Sequence, residues 1–462
     1  MREQTRPRVY RVMKYWGKKP HNIWGSYIEK NTQKGNIVLD PFVGSGMTFF
    51  ECIRLGRLPI TIDINPISDL CINCLTKRGV DYDSIKEKAN EVIEKISKTE
   101  CYQREYVCKC SSCGEKTDIF NYTINGKKTI NYRCKKCGAI KTDERTWDNV
   151  EYPIEKWVPN RKLSTIKSVS RGFIKKVGVD NISGIWTNRN LKILSDLYDE
   201  ILSINDKDCK ELLVFAFVQS LHLTSRMCIP RSKKSNRPLS TSWGRPAYMI
   251  ANSTFEQNPV LSFKKNMFNT TGVIEGLKSS EEYLGSKVPN SARHYLGDSI
   301  KILKQIEDKT IDLAITDPPY GSIIQYCDLS EVWVSWLEHY KPIYTIDHDK
   351  EIIVSRDNKR EKYGSDLANL FSEVNRVLKD GKKFIITFNS NHVSDWISLL
   401  DAIKESNFFI RDIIFQKNKR SSEANVSAKD GIAISDYYII CEKGKWNIEN
   451  VATYLMEKEI LS

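Results

Sequence analysis

Residues 36–66, NIVLDPFVGSGMTFFECIRLGRLPITIDINP, restrict the fold more than any other part of the chain. An apolar run ends at Asp40-Pro41 and gives way to a turn carrying Gly44 and Gly46. A helix-like run closed by Gly56 follows, and then a second apolar run that ends in an acid, Asp63. Strand, glycine turn, helix, strand and terminal acid in that order are half of a doubly wound α/β sheet, in which ligands sit at the carboxyl ends of the strands.

The rhythm then stops and resumes at ARHYLGDS (292–299) and IDLAITDPPY (311–320). It continues through an apolar-periodic helix, the strand KKFIITF (382–388), a second helix, and the strands FFIRDIIFQK and SDYYIICEKG. One α/β domain is therefore split, with 1–75 as its first half, 291–446 as its second and 447–462 as a tail. The insertion, 76–290, is too long for a structureless loop, so it is expected to form a domain or two of its own. Within it, 81–98 reads as a polar helix, 101–145 as cysteine-studded strands and 211–227 as an apolar helix.

Composition narrows the partners. A net charge of +13 suits a polyanion, of which nucleic acid is the commonest. No stretch approaches the about 18 apolar residues of a membrane span, and the first twenty residues lack an apolar core of the secretory type, so a cytoplasmic protein is expected. The 13 cysteines then read as metal ligands rather than as a disulfide framework.

The two glycines let the backbone approach a ligand closely and turn sharply into a helix. Asp63 can accept hydrogen bonds from both hydroxyls of a ribose. In the second half, TDPPYGS (316–322) ends a buried strand, because proline cannot donate to the ladder. An acid, two rigid residues and an aromatic ring are thereby set at the carboxyl edge.

DPFVGSGMT followed by IDINP, and later TDPPY, resembles the S-adenosylmethionine-dependent amino-group DNA methyltransferases. The resemblance covers about 14–75 and 292–445, and implies a Rossmann-like class I methyltransferase domain with a mixed seven-stranded sheet. Carried over, Asp40, Pro41, Phe42, Gly44 and Gly46 hold the methionine part of S-adenosylmethionine, Asp63 with Asn65 the ribose end, and Asp298 of LGDS the adenine. Lys19 and Pro20 of WGKKPHNIW match the family's N-terminal cofactor motif. Met47 stands where threonine is common in the family.

The tip has its own chemistry. An exocyclic amine is a poor nucleophile, and it must be held in line while positive charge builds on its nitrogen. A carboxylate and a carbonyl accepting its two N–H bonds meet both needs. Asp317 and the Pro318 carbonyl are the predicted acceptors, Pro319 stiffens the tip and Tyr320 stacks on a base flipped out of double-stranded DNA. Aspartate before the prolines leans toward N6 of adenine within the family. The alternatives are an N4-cytosine DNA methyltransferase, an RNA enzyme of the tRNA guanine-N2 type, and a non-catalytic nucleic-acid-binding subunit. A restriction endonuclease or defence-system protein is an expected partner, and membranes are not.

The insertion carries Cys110-x2-Cys113, twenty residues, then Cys134-x2-Cys137, the spacing of a structural zinc ribbon. Between the pairs, a hairpin turning at Asn125-Gly126 is expected. Cys108, and the pair Cys71 and Cys74, are weaker metal candidates. Arg231, Lys233, Lys234 and Arg237, with Arg226 nearby and Trp243 and Tyr248 following, form a basic, aromatic-bearing cluster suited to a phosphate backbone, or simply a solvated loop. Tyr326, Trp333 and Trp336 are candidates for the wall of a base pocket, with Trp333 and Trp336 read ahead of that as helix packing.

Overall fold

A computed structural model describes residues 2–145, 150–232, 235–240, 247–355, 359–417 and 435–445. After a short 3-10 turn (Arg8–Tyr10) come a helix α1 (His21–Asn31), then β1 (Ile37–Asp40), α2 (Met47–Arg54), β2 (Leu58–Asp63) and α3 (Pro66–Thr76). Four strands follow in the ribbon, β3 (Val107–Lys109), β4 (Lys116–Asn125), β5 (Lys127–Arg133) and β6 (Ile140–Glu144). Next come a hairpin, β7 (Cys228–Ser232) and β8 (Ser235–Ser240), and the short β9 (Thr254–Gln257). The last five strands are β10 (Arg293–Leu296), β11 (Ile311–Thr316), β12 (Leu378–Phe388), β13 (Phe408–Lys417) and β14 (Ser435–Lys443).

Seven of these form one sheet in the order β10-β2-β1-β11-β12-β14-β13. All neighbours are parallel except β14, which runs antiparallel between β12 and β13. The sheet is thus mixed and seven-stranded, as the family resemblance implies. Every residue of β11 is buried, which suits a central strand covered on both faces. The winding reverses between β1 and β11, so a crevice opens where their carboxyl ends diverge. Asp40 ends β1, Asp63 ends β2 and Asp317 follows β11, which puts three acids on one edge.

The insertion packs against this sheet rather than beside it. Its helix Lys207–Leu221 is buried almost throughout, and its apolar side chains share one cluster with Ile67, Leu70, Trp333 and Trp336 of the α/β part. The polar helix of the sequence reading is Tyr82–Ser97, whose buried Ile85, Ala89, Val92 and Ile96 are spaced at helical intervals. The ribbon is tied in through β9, which pairs antiparallel with β4. Among the described residues, no helix is long and apolar enough to cross a membrane.

Candidate active site and metal cluster

One cleft lies at the switch point, lined by Tyr15, Lys19, Phe42, Gly44, Asp63 and Asp317 among others. Its cofactor end is built on backbone geometry. Gly46 has φ +85°, and a Cβ there would sit 2.8 Å from the Phe50 ring, so only glycine gives this entry into α2. The Gly44 N–H donates to Asp63 Oδ2 at 2.7 Å and the Asn65 N–H to Oδ1 at 2.9 Å. Each oxygen keeps a lone pair for a ligand hydroxyl. Asp40 fastens three elements: its Oδ1 accepts from Thr316 Oγ1 at 2.7 Å and from the Phe42 N–H at 3.0 Å, and its Oδ2 from Thr48 Oγ1. Thr48 also accepts from Trp24 Nε1 of α1 at 2.9 Å.

Asp298 caps the helix Ser299–Leu303 and lines the cleft. Pro20, Pro41 and Gly46 shape the backbone but do not line it; Lys19, Asp40, Phe42, Asp63 and Asn65 do. Asn65 has a further duty, capping α3 and donating to Ser330 Oγ at 2.6 Å.

A further acid, Glu351, enters from the loop after the helix Tyr326–Tyr340 and accepts from the Cys327 N–H at 3.0 Å. No motif marks it. Burial raises Asp40 to about 7, Asp63 to about 6 and Glu351 to about 7. Three desolvated carboxylates around one cleft fit a ligand that carries positive charge and hydroxyl donors. Tyr15 and Tyr326 stack at 5.8 Å between ring centroids along the wall.

At the tip, Asp317 is held by one oxygen. Its Oδ1 accepts from Tyr320 Oη at 2.5 Å and from Thr387 Oγ1 at 2.6 Å, and lies 3.3 Å from Lys19 Nζ. Among the described residues, no donor hydrogen-bonds Oδ2. The Pro319 carbonyl accepts from Tyr363 Oη at 2.7 Å, whereas no described donor meets the Pro318 carbonyl. Gly321, at φ +56°, closes the turn where a Cβ would collide with Asp395 at 2.4 Å. Tyr320 packs edge-on against Phe388, 4.9 Å between centroids, and its hydroxyl accepts from Lys19 Nζ at 2.5 Å. Sequence reasoning assigns work to the ring alone; the hydroxyl is also engaged. Tyr320 and Pro318 do not themselves line the cleft, while Asp317 and Pro319 do.

In the ribbon, Sγ atoms of Cys110, Cys113, Cys134 and Cys137 lie within 4.8 Å of one another, and Cys108 is not among them. Cys110 and Cys137 are 3.7 Å apart and Cys113 and Cys134 3.5 Å. Four thiolates about 2.3 Å from a central ion would be separated by roughly 3.8 Å, so the cluster suits a tetrahedral metal. The Ser112 N–H on Cys110 lowers that thiol to about 7 and the Cys137 N–H lowers Cys134, whereas Cys113, although the Glu115 N–H acts to lower it, is raised by desolvation and its thiol neighbours. Cys71 and Cys74 are buried on α3 and belong to the core.

The basic cluster resolves in part. Arg226 donates to the carbonyls of Lys176, Val177 and Gly184, and the buried Tyr248 donates to the Asp328 carbonyl, so both serve the fold. Arg231 and Arg237 fall on β7 and β8, while Lys233, Lys234 and Trp243 lie outside the described residues. Trp333 and Trp336 are buried and pack with Trp16, Trp186, Tyr198 and Phe217.

A mixed seven-stranded sheet with an acid-lined cleft at its switch point is the architecture of a class I methyltransferase domain. The DNA methylase family of the N6/N4 type matches residues 2–73 and 311–460, a little under half of the chain, which carry six of the seven strands of the sheet, and this supports an amino-group DNA methyltransferase. The type II methyltransferase M.MjaII of Methanocaldococcus jannaschii is 25% identical over 134 residues, 28% of this chain and 24% of its own length. M.HpaI of Haemophilus parainfluenzae, also a type II methyltransferase, is 39% identical over 71 residues, 15% of this chain and 23% of its own. The chain thus spans about a quarter of the length of these relatives. A solved structure from Thermus thermophilus, assigned only provisionally as a DNA modification methylase, aligns at 16% identity over 36% of this chain and 59% of its own, with a TM-score of 0.20. At that score the superposition adds nothing to the fold argument.

Proposed function

We propose that this protein is a site-specific DNA methyltransferase acting on N6 of adenine, with S-adenosylmethionine as methyl donor and a structural zinc ion in the ribbon. The observation that carries the reading is the tip. Asp317 is fixed through Oδ1, and its Oδ2 and the Pro318 carbonyl both lack donors among the described residues. An exocyclic amine offers two N–H groups, and two rigidly placed acceptors orient its lone pair.

When bound, S-adenosylmethionine supplies a methyl group on a positively charged sulfur. Asp63 would hold its ribose hydroxyls, Asp298 its adenine, and Gly44, Phe42 and Asp40 its methionine end. The protein's own part is to orient the amine, to offer negative charge where the nitrogen becomes positive, and to receive a proton at Asp317. Tyr320 would turn its ring toward a flipped base, at an unstacking cost of about a few kcal/mol. That movement would release its hydroxyl from Asp317 and Lys19.

The aspartate favours adenine over cytosine, and the net charge of +13 favours a nucleic acid. The large insertion is the part of the chain available to read a duplex, with Arg231, Lys233, Lys234 and Arg237 offered as phosphate contacts. A restriction endonuclease partner fits the type II methyltransferases that the α/β part is similar to. Methylation-sensitive sequencing of DNA from cells expressing the protein tests the reading. One short motif carrying N6-methyladenine, absent with Asp317→Asn, is expected. N4-methylcytosine at the motif would overturn the base assignment, and no modified motif the activity.

A further inference from the structure

Lys19 and Asp436 meet at the catalytic edge although 417 positions separate them. Asp436 stands at the start of β14, which runs antiparallel to β12 and so begins where the parallel strands end. No motif of the sequence singles it out. The ammonium of Lys19 sits 2.7 Å from Asp436 Oδ1 and 3.3 Å from Asp317 Oδ1, and it also donates to Tyr320 Oη at 2.5 Å. The lysine is seated on Asp436 rather than on the carboxylate that faces the cleft. The side chains of Lys19 and Asp436 are each only 10% exposed, so water screens the arrangement weakly.

Building on the reading of Asp317 as the amine's acceptor, we infer that Asp436 is a positioning residue which neutralises Lys19. It thereby leaves Asp317 able to take, on Oδ2, the proton that the methylated amine must release. In that step an N–H bond breaks, its electron pair stays on nitrogen, and an O–H bond forms at Asp317. Two carboxylates and one ammonium give this end of the cleft one net negative charge. With Asp436 neutral the net charge would be zero, and Lys19 would act on Asp317 alone.

The neighbouring groups agree with this division of labour. Burial would lower Lys19, but Asp317 and Asp436 outweigh it and keep the ammonium protonated. Asp317 is raised by burial, lowered by Lys19, and raised again by Asp436. Among the described residues, the other titratable groups that face Asp317 are Tyr320 on the tip, Tyr326 on the helix Tyr326–Tyr340 and Tyr438 on β14. Burial first, and then nearby acids, hold all three phenols above their ordinary value, so none competes as an anion at neutral pH.

Two variants with opposite expected signs test the inference. In Asp436→Asn, the acidic limb of kcat against pH moves to lower pH by about one unit, and the plateau falls, because a weaker base accepts the proton. In Lys19→Met the limb moves to higher pH. The same two shifts are expected in the cofactor-free protein by 13C NMR of aspartate carboxyls, with the Asp317 signal identified as the one missing from Asp317→Asn. Asp436→Glu restores the wild-type limb. A limb and a carboxyl titration that stay in place in Asp436→Asn, or that move up, overturn the inference. A purely structural role would lower the plateau and leave both titrations alone. If the wild-type protein methylates no nucleic acid, the functional reading fails instead, and the NMR shifts then report only the electrostatics of the pair.

Discussion

Asp63→Asn offers a quantitative test of the cofactor end. The amide matches the carboxylate in shape but replaces one oxygen by an NH2 group. In the native site both oxygens already receive backbone donors, Gly44 at 2.7 Å and Asn65 at 2.9 Å. Whichever way the amide turns, one N–H then faces another donor, and one ligand hydroxyl loses its acceptor. A hydrogen bond to a charged group contributes about 1.5–3 kcal/mol, which converts to roughly 10- to 150-fold in affinity for the single ribose bond lost. The stability of the free protein should change less, because removing a buried carboxylate offsets the strained loop. Calorimetry with S-adenosylmethionine and with S-adenosylhomocysteine separates the roles of Asp63. Both share the ribose, so both affinities should fall together. Unchanged affinities, or a loss confined to the charged sulfonium ligand, would refute the assignment of Asp63 to the ribose.

Other outcomes are expected of the same structure. Asp317→Ala should abolish methyl transfer while calorimetry finds cofactor affinity largely kept, since the side chain faces the amine; near-normal turnover would remove it from catalysis. S-adenosylmethionine should bind more tightly as pH rises through about 6 to 7, where Asp63, Asp40 and Glu351 ionise, and S-adenosylhomocysteine, whose sulfur carries no charge, should respond less. The same raised values give the cofactor-free protein stability that is full below the unfolded carboxylate value of about 4 and is lost as pH rises through about 6 to 7, a trend for thermal melts to check. Replacing Cys113 and Cys137 by serine should release one zinc per chain and loosen β3 to β6 while cofactor binding persists. Metal analysis that finds no zinc in the wild-type protein would contradict the ribbon.

What the sequence discloses is what lies close together along the chain. The glycine turn, the acid of β2 and the proline tip are each fixed within a few residues, and the thiol pairs are set by two local knuckles. The strands of the seven-stranded sheet are legible for the same reason, since each strand–helix unit announces itself, while their mixed arrangement is what the family resemblance implies. Glu351, Thr387 and Asp436 are another matter. Glu351 reaches the cleft, and Thr387 and Asp436 reach the Asp317–Lys19 pair, only because the loop after the helix Tyr326–Tyr340, the end of β12 and the start of β14 converge on one edge, and no local pattern distinguishes them from ordinary loop or strand residues. Arg226 and Tyr248 illustrate the converse. Their basic and aromatic surroundings suit nucleic acid, yet Arg226 spends its donors on carbonyls at a helix end and a turn, and Tyr248 donates to the Asp328 carbonyl. That requirement arises only once the chain has folded.

The decisive question is whether a methyl group reaches a base through this cleft. Purified protein is incubated with methyl-labelled S-adenosylmethionine and either duplex DNA or RNA, and the digested nucleosides are separated and identified. Label in N6-methyladenine from duplex DNA, lost in Asp317→Asn, is the predicted result. Label only in RNA, or label in DNA that survives Asp317→Asn, would contradict it.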